Sequence, residues 1–132
     1  MTRRILVADD DDLLTDLLEF RLEDAGFEVT VVRDGATALE TCQTGEFSLM
    51  VLDAMMPVKT GFEVLRLVKE GMGAKAPPIV MLTSRSSEQD IVQALREGAT
   101  DYVTKPFIPE ELVTRIESIL AARGANAPGP DL

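Results

Sequence analysis

Five short, mostly apolar runs recur along this chain, and every gap between them carries helical spacing. The runs are residues 5–8, 29–32, 47–52, 79–82 and 101–104. Each is strand length rather than helix length and is bounded by Gly, Pro, Asp or Ser, so each reads as a short strand. The continuous apolar character of most of them indicates burial on both faces, the mark of a parallel sheet. Strict strand–helix alternation predicts an α/β fold, with helices on both faces and right-handed crossovers. The class is the flavodoxin-like (βα)5 doubly wound sheet, strand order 2-1-3-4-5.

The helical stretches carry their own punctuation. After Asp9-Asp10-Asp11-Asp12, the last of which can cap a helix, Leu14, Leu17, Leu18, Leu22 and Ala25 fall three and four apart on one face. Gly26 ends that helix as a left-handed cap. Asp34-Gly35 turns the chain into a second helix, residues 36–44, with Ala38, Leu39 and Cys42 inward and Gly45 closing it. A third covers 62–70, with Val64, Leu65 and Val68 apolar, before a Gly/Pro-marked loop at 71–78. The fourth covers 88–97, capped by Ser86 or Ser87 and ended by Gly98. The last begins at Pro109, a first-turn position, and carries Leu112, Val113, Ile116, Ile119 and Leu120 as its stripe. Residues 123–132 lack periodicity and read as a flexible tail or the start of a linker, which leaves 1–122 as one domain. A chain of 132 residues has room for one real core and no more.

Composition narrows the function classes. A net charge of −10 would repel phosphates, which argues against direct nucleic-acid binding by this chain. No run approaches the roughly 18 apolar residues of a membrane span. The apolar run after Arg3 and Arg4 stops at Asp9, too early for a secretory signal. A lone cysteine, Cys42, cannot form an internal disulfide and reads as a small core hydrophobe, so a cytoplasmic location is expected. With no histidine in the chain, histidine-based catalysis and histidine metal ligands are excluded.

Polar residues collect immediately after the strands: Asp9 and Asp10, then Asp53, then Thr83 and Ser84, then Lys105. In a doubly wound sheet the ligand site lies at the carboxyl ends of the strands, at the topological switch point. That point falls between strands 1 and 3, neighbours about 4.8 Å apart, which brings Asp9, Asp10 and Asp53 together. Carboxylates that close repel one another, so either one holds a proton or a divalent cation holds the group. An all-oxygen set that keeps waters suits Mg²⁺. Thr83 adds a hydroxyl, and Lys105 adds an ammonium from roughly 10 Å away, two strand spacings across. Carboxylate, metal, hydroxyl and ammonium together suit a transferred phosphoryl group, with Asp53 as its acceptor. Taken singly these residues are ordinary: Asp11 and Asp12 are helix-start acids, and Thr83 or Lys105 alone would pass as surface groups. The argument lies in four strand ends supplying complementary chemistry to one edge.

Asp9-Asp10, Asp53-x-x-Met56-Pro57-x-x-x-Gly61, Thr83-Ser84 and Tyr102-x-x-Lys105-Pro106-Phe107 together resemble the receiver domain of bacterial two-component response regulators, from about residue 3 to 122. The resemblance implies that Asp53 is the phosphoacceptor, receiving a phosphoryl group from a sensor histidine kinase or phosphotransfer protein. It implies Mg²⁺ bound by Asp10, Asp53 and the backbone carbonyl of Met55, with Asp9 acting mainly through water. Lys105 and Thr83 are then phosphoryl contacts, helped by backbone N–H groups near Met55 and Ser84, and Lys105-Pro106 is a cis peptide. Thr83 and Tyr102 become switch residues that reshape the face of the fourth helix, fifth strand and fifth helix. Residues 98–107 are most similar to regulators that form homodimers through that face, and Asp101, Arg115 and Glu97 match part of their charged interface. Ile91 departs from this pattern where a basic residue is common, leaving Glu111 without its expected partner, and Ile108 is less polar than usual.

Other function classes fit less well. A phosphorylation-independent interaction module on the same fold would not need the complete acid set. A phosphatase with an aspartyl nucleophile wants a second acid two residues on, where Met55 stands, so the chain is expected to act on its own acyl phosphate and not as an enzyme on other substrates. A flavin phosphate would be repelled by the four aspartates after strand 1.

Overall fold

The computed structural model describes residues 3–84 and 88–126. Five strands form one parallel sheet in the order β2-β1-β3-β4-β5, as the alternation predicts. They are β1 (Arg4–Ala8), β2 (Glu28–Val32), β3 (Leu49–Asp53), β4 (Ile79–Thr83) and β5 (Asp101–Thr104). The helices are α1 (Asp12–Asp24), α2 (Gly35–Thr44), α3 (Gly61–Met72), α4 (Glu88–Arg96) and α5 (Pro109–Asn126).

The period-two geometry of the strands divides the core. Leu6, Ala8, Met50, Leu52, Ile79 and Met81 point to one face, against Ala38 and Cys42 of α2, Val64, Leu65 and Val68 of α3, and Ala94 of α4. Ile5, Val7, Leu49, Val51, Val80, Leu82 and Val103 point to the other, against Leu18 and Leu22 of α1 and Leu112, Ile116 and Leu120 of α5. The central strands β1, β3 and β4 therefore have no solvent face, which is why their sequences do not alternate.

Several element edges differ from the sequence reading. Asp11, not Asp12, caps α1, its side chain accepting from the Leu14 N–H at 3.2 Å. On α1 the buried arc is Thr15, Leu18 and Leu22, whereas Leu17 is 40% exposed and Ala25 is exposed. Leu17 lies about 100° around the helix from Leu18, so both cannot face the sheet squarely. Asp34 is a cap rather than a turn residue: it accepts from the Thr37 N–H and hydroxyl, and α2 starts at Gly35. Thr60 and Glu63 form a reciprocal capping box at the start of α3. That helix runs on to Met72, and a 3₁₀ turn at Gly73–Lys75 takes up part of the stretch read as loop. The last helix continues to Asn126, into the stretch read as tail. Ser86 and Ser87, read as caps of α4, lie outside the described residues.

Candidate functional site

Register carries the polar residues to one edge. Ala8 pairs with Leu52, so Asp9 and Asp53 are the next residues of adjacent strands. Asp53 pairs with Leu82, which places Thr83 one residue further along β4. Thr83 in turn pairs with Thr104, and Lys105 follows. The Lys105 N–H donates to the Thr83 carbonyl at 2.7 Å, and the Lys105-Pro106 peptide is cis.

Asp9, Asp10 and Asp53 each bring a carboxylate oxygen to within 4.8 Å of the other two. Asp9 and Asp53 are buried while Asp10 is exposed, so the group opens to solvent on one side. Asp9 Oδ1 accepts from the Asp11 N–H at 3.0 Å. Lys105 reaches across two strands: its Nζ lies 3.0 Å from Asp9 Oδ2 and 3.6 Å from Asp53 Oδ1. The closer contact to Asp9 was not foreseen, since sequence supplies three acids at the switch point and does not say which one the ammonium meets. Met55 follows on the loop, its N–H donating to Asp53 Oδ1 at a long 3.4 Å. Thr83 is buried at the same edge. Tyr102 stands apart, half-buried, paired with Met81 and packed on the α2–α3–α4 side of the sheet.

Burial raises the Asp53 carboxyl to about 6; the Asp9 charge adds to the rise, and Lys105 opposes it without cancelling it. Burial works against the Lys105 ammonium, but its hydrogen bond to Asp9 and the charges of Asp53 and Asp9 prevail and hold it above the ordinary lysine value. Three carboxylates thus face one ammonium, an excess of negative charge that one lysine does not neutralise. The donors are all hard oxygens, buried on one side and open on the other, which fits a small divalent cation retaining water.

Comparison with known proteins agrees with this geometry. The family model described as "Response regulator receiver domain" matches residues 5–117. The chain belongs to that family. It is the receiver domain of a two-component response regulator. The chain is 38% identical over its whole length to the alkaline phosphatase synthesis transcriptional regulatory protein PhoP of Bacillus subtilis, covering 54% of it. It spans about half the length of the curated relatives it matches. Among solved structures, the Francisella response regulator 1452 receiver domain superposes with a TM-score of 0.85 at 32% identity, covering 93% of this chain and 99% of that one. The receiver domain of the sensor histidine kinase PA1611 from Pseudomonas aeruginosa, with a magnesium ion in its active site cleft, superposes at 0.82 and 26% identity, over 92% and 99% of the two chains. Among the described residues, no helix of this receiver domain is long and apolar enough to cross a membrane.

One contributor to the site escaped the sequence reading. Gly35 of α2 lies against the loop after Asp53, and its Asp-Gly context signals only a turn or a helix start.

Proposed function

We propose that Asp53 accepts a phosphoryl group, in a Mg²⁺-dependent reaction, from a phosphohistidine on a sensor kinase or phosphotransfer protein. A carboxylate oxygen of Asp53 forms a bond to phosphorus as the bond from phosphorus to the donor nitrogen breaks, leaving an acyl phosphate and a free imidazole. The observation that supports this most is the meeting of Asp9, Asp10 and Asp53 with the Lys105 ammonium at one sheet edge. Lys105, already 3.6 Å from Asp53, then pairs with an incoming phosphoryl oxygen. Thr83 offers its hydroxyl from the next strand. Asp9, Asp10, Asp53 and the Met55 carbonyl are the residues that would hold Mg²⁺, which supplies positive charge to the transferring oxygens when bound.

Met55 places no acid beside the acceptor, so the chain handles only its own acyl phosphate and is not an enzyme toward other substrates. The signal leaves by Thr83 and Tyr102 through the α4–β5–α5 face, toward an effector or a second copy of the chain. On that face Arg115 holds Asp101 at 2.9 Å and Glu111 at 3.6 Å within the chain, and Val92 and Leu95 are exposed. The reaction belongs in the cytoplasm, where the buried Cys42 stays a free thiol.

Intact-mass measurement after incubation with Mg²⁺ and acetyl phosphate should show one added phosphoryl group. Asp53→Asn should show none. A wild type that gains no mass, even from its cognate kinase, would end this reading.

A further inference from the structure

We infer that Gly35, the first residue of α2, is a positioning residue for the phosphoacceptor loop, from a helix that supplies no group to the chemistry. The inference rests on the reading of Asp53 as phosphoacceptor. The loop between β3 and α3 is closed at its base, where the Gly61 N–H donates to the Ala54 carbonyl at 2.8 Å. A Cβ on Gly61 would overlap the Asp53 carbonyl oxygen. At the apex the Lys59 N–H donates to the Pro57 carbonyl at 2.9 Å, and the residue between them, Val58, has φ +74°. That is a γ-turn of the rare positive-φ kind, and a β-branched residue is strained there. Val58 is 77% exposed, so burial of its side chain does not offset the strain.

What holds the apex comes from α2. The Gly35 N–H donates to the same Pro57 carbonyl at 3.1 Å, so that oxygen is gripped from two sides. As the first helical residue, Gly35 has an N–H with no partner inside its own helix and is free to give it. The approach is backbone on backbone: a Cβ on Gly35 would overlap the Lys59 carbonyl oxygen and stand 2.6 Å from the Lys59 Cβ. Gly35 is not in the left-handed region, so the absence of a side chain, rather than conformational freedom, is what the contact requires. If this contact opens, the strained apex is released. Met55, whose N–H is only loosely held to Asp53 at 3.4 Å, is then no longer positioned.

Linkage gives a test on the unaltered protein. If Mg²⁺ binds only while the contact is closed, then Mg²⁺ at a hundred times its Kd should slow hydrogen exchange of the Gly35 amide by up to about 100-fold. The Gly45 amide, bonded to the Thr41 carbonyl at the far end of the same helix, should slow far less. No slowing at Gly35, or equal slowing at both amides, would overturn the inference. Variants supply a second measurement. Gly35→Ala should raise the Mg²⁺ concentration needed for a given rise in melting temperature by about tenfold. Gly45→Ala, which crowds Phe47 instead, should leave that concentration unchanged. Equal Mg²⁺ dependence in the two variants would overturn it, and should Gly35→Ala fail to fold, the exchange measurement decides. A wild type that responds neither to Mg²⁺ in melting temperature nor to acetyl phosphate in mass would sink the reading of the site itself.

Discussion

The two ends of the sheet are built from the same strands and do opposite things. At the amino ends, Ile5, Leu49 and Ile79 are fully buried. Around them Arg4 lies over the Phe47 ring at 4.7 Å, and the Cys42 and Met72 sulfurs lie 4.0 Å apart. At the carboxyl ends the buried polar side chains are Asp9, Asp53 and Thr83. Apolar burial stabilises the first end. The second end gathers like charges and a strained turn, both of which oppose folding. A parallel sheet permits this division, because its strands all begin at one end and all finish at the other. Stability generated along the strands and at their starts holds a reactive cluster at their finishes.

The largest expected effect tests the stable end. Ile79→Ala removes a fully buried side chain packed toward α2, α3 and α4 and should lower stability by about 2–5 kcal/mol in urea unfolding. The folded protein should still accept a phosphoryl group. Loss of acceptance under conditions where circular dichroism shows the variant folded would break the separation of the two ends.

Asp53→Asn should move stability the other way. The folded carboxyl sits near 6 against an ordinary 3.8, so between those values the folded state binds more protons than the unfolded one. Wild-type stability therefore falls as pH rises through that window, by about 2–3 kcal/mol at 1.36 kcal/mol per pKa unit. Asparagine does not titrate. Without Mg²⁺ the variant should be more stable than wild type by about 1–3 kcal/mol at pH 7 and nearly equal to it at pH 4. A variant less stable at pH 7 would mean that the attraction of Lys105 outweighs burial, and that the site does not oppose the fold.

Smaller, and lying between the two ends in character, is the start of α1. Asp11→Ala removes the side chain that accepts from the Leu14 N–H and should cost about 1 kcal/mol. What residue 11 gives Asp9 is its backbone N–H, which alanine keeps, so phosphoryl acceptance should persist. If Asp11→Ala costs nothing, the cap is assigned to the wrong acid.

That last ambiguity shows what sequence can carry. The central strands β1, β3 and β4 were legible because burial on both faces leaves continuous apolar runs, and the candidate site was legible because four of the five runs stop at an aspartate, a threonine or a lysine. Four aspartates in a row offer the same cap, and only the extended backbone at Asp11 chooses among them. Leu17 was misplaced because α1 carries two apolar arcs: one holds Leu14, Leu18 and Leu22, the other Leu13, Leu17 and Phe20, and the second is exposed. The end of α5 escaped because residues 123–126 lack apolar spacing, so periodicity gave no sign that the helix continues. The meeting of Lys105 with Asp9, and of Gly35 with Lys59, joins residues distant along the chain, which local patterns cannot report.

The smallest expected effect concerns the α4–β5–α5 face, the proposed route of the signal. Arg115 binds Asp101 and Glu111, and all three side chains are at least a quarter exposed, at 41%, 28% and 50%. Exposed pairs of this kind gain little, because water screens the attraction and two long side chains lose freedom in meeting. Arg115→Ala should therefore lower monomer stability by about 0–1 kcal/mol, and by less as salt is added. The same substitution should weaken any self-association that follows phosphorylation, measured by sedimentation of the acetyl phosphate-treated protein. A change in association with monomer stability intact would place Arg115 in signalling, apart from the structural role of the buried core. A stability loss well above 1 kcal/mol would instead tie β5 and α5 to the structural half of the molecule.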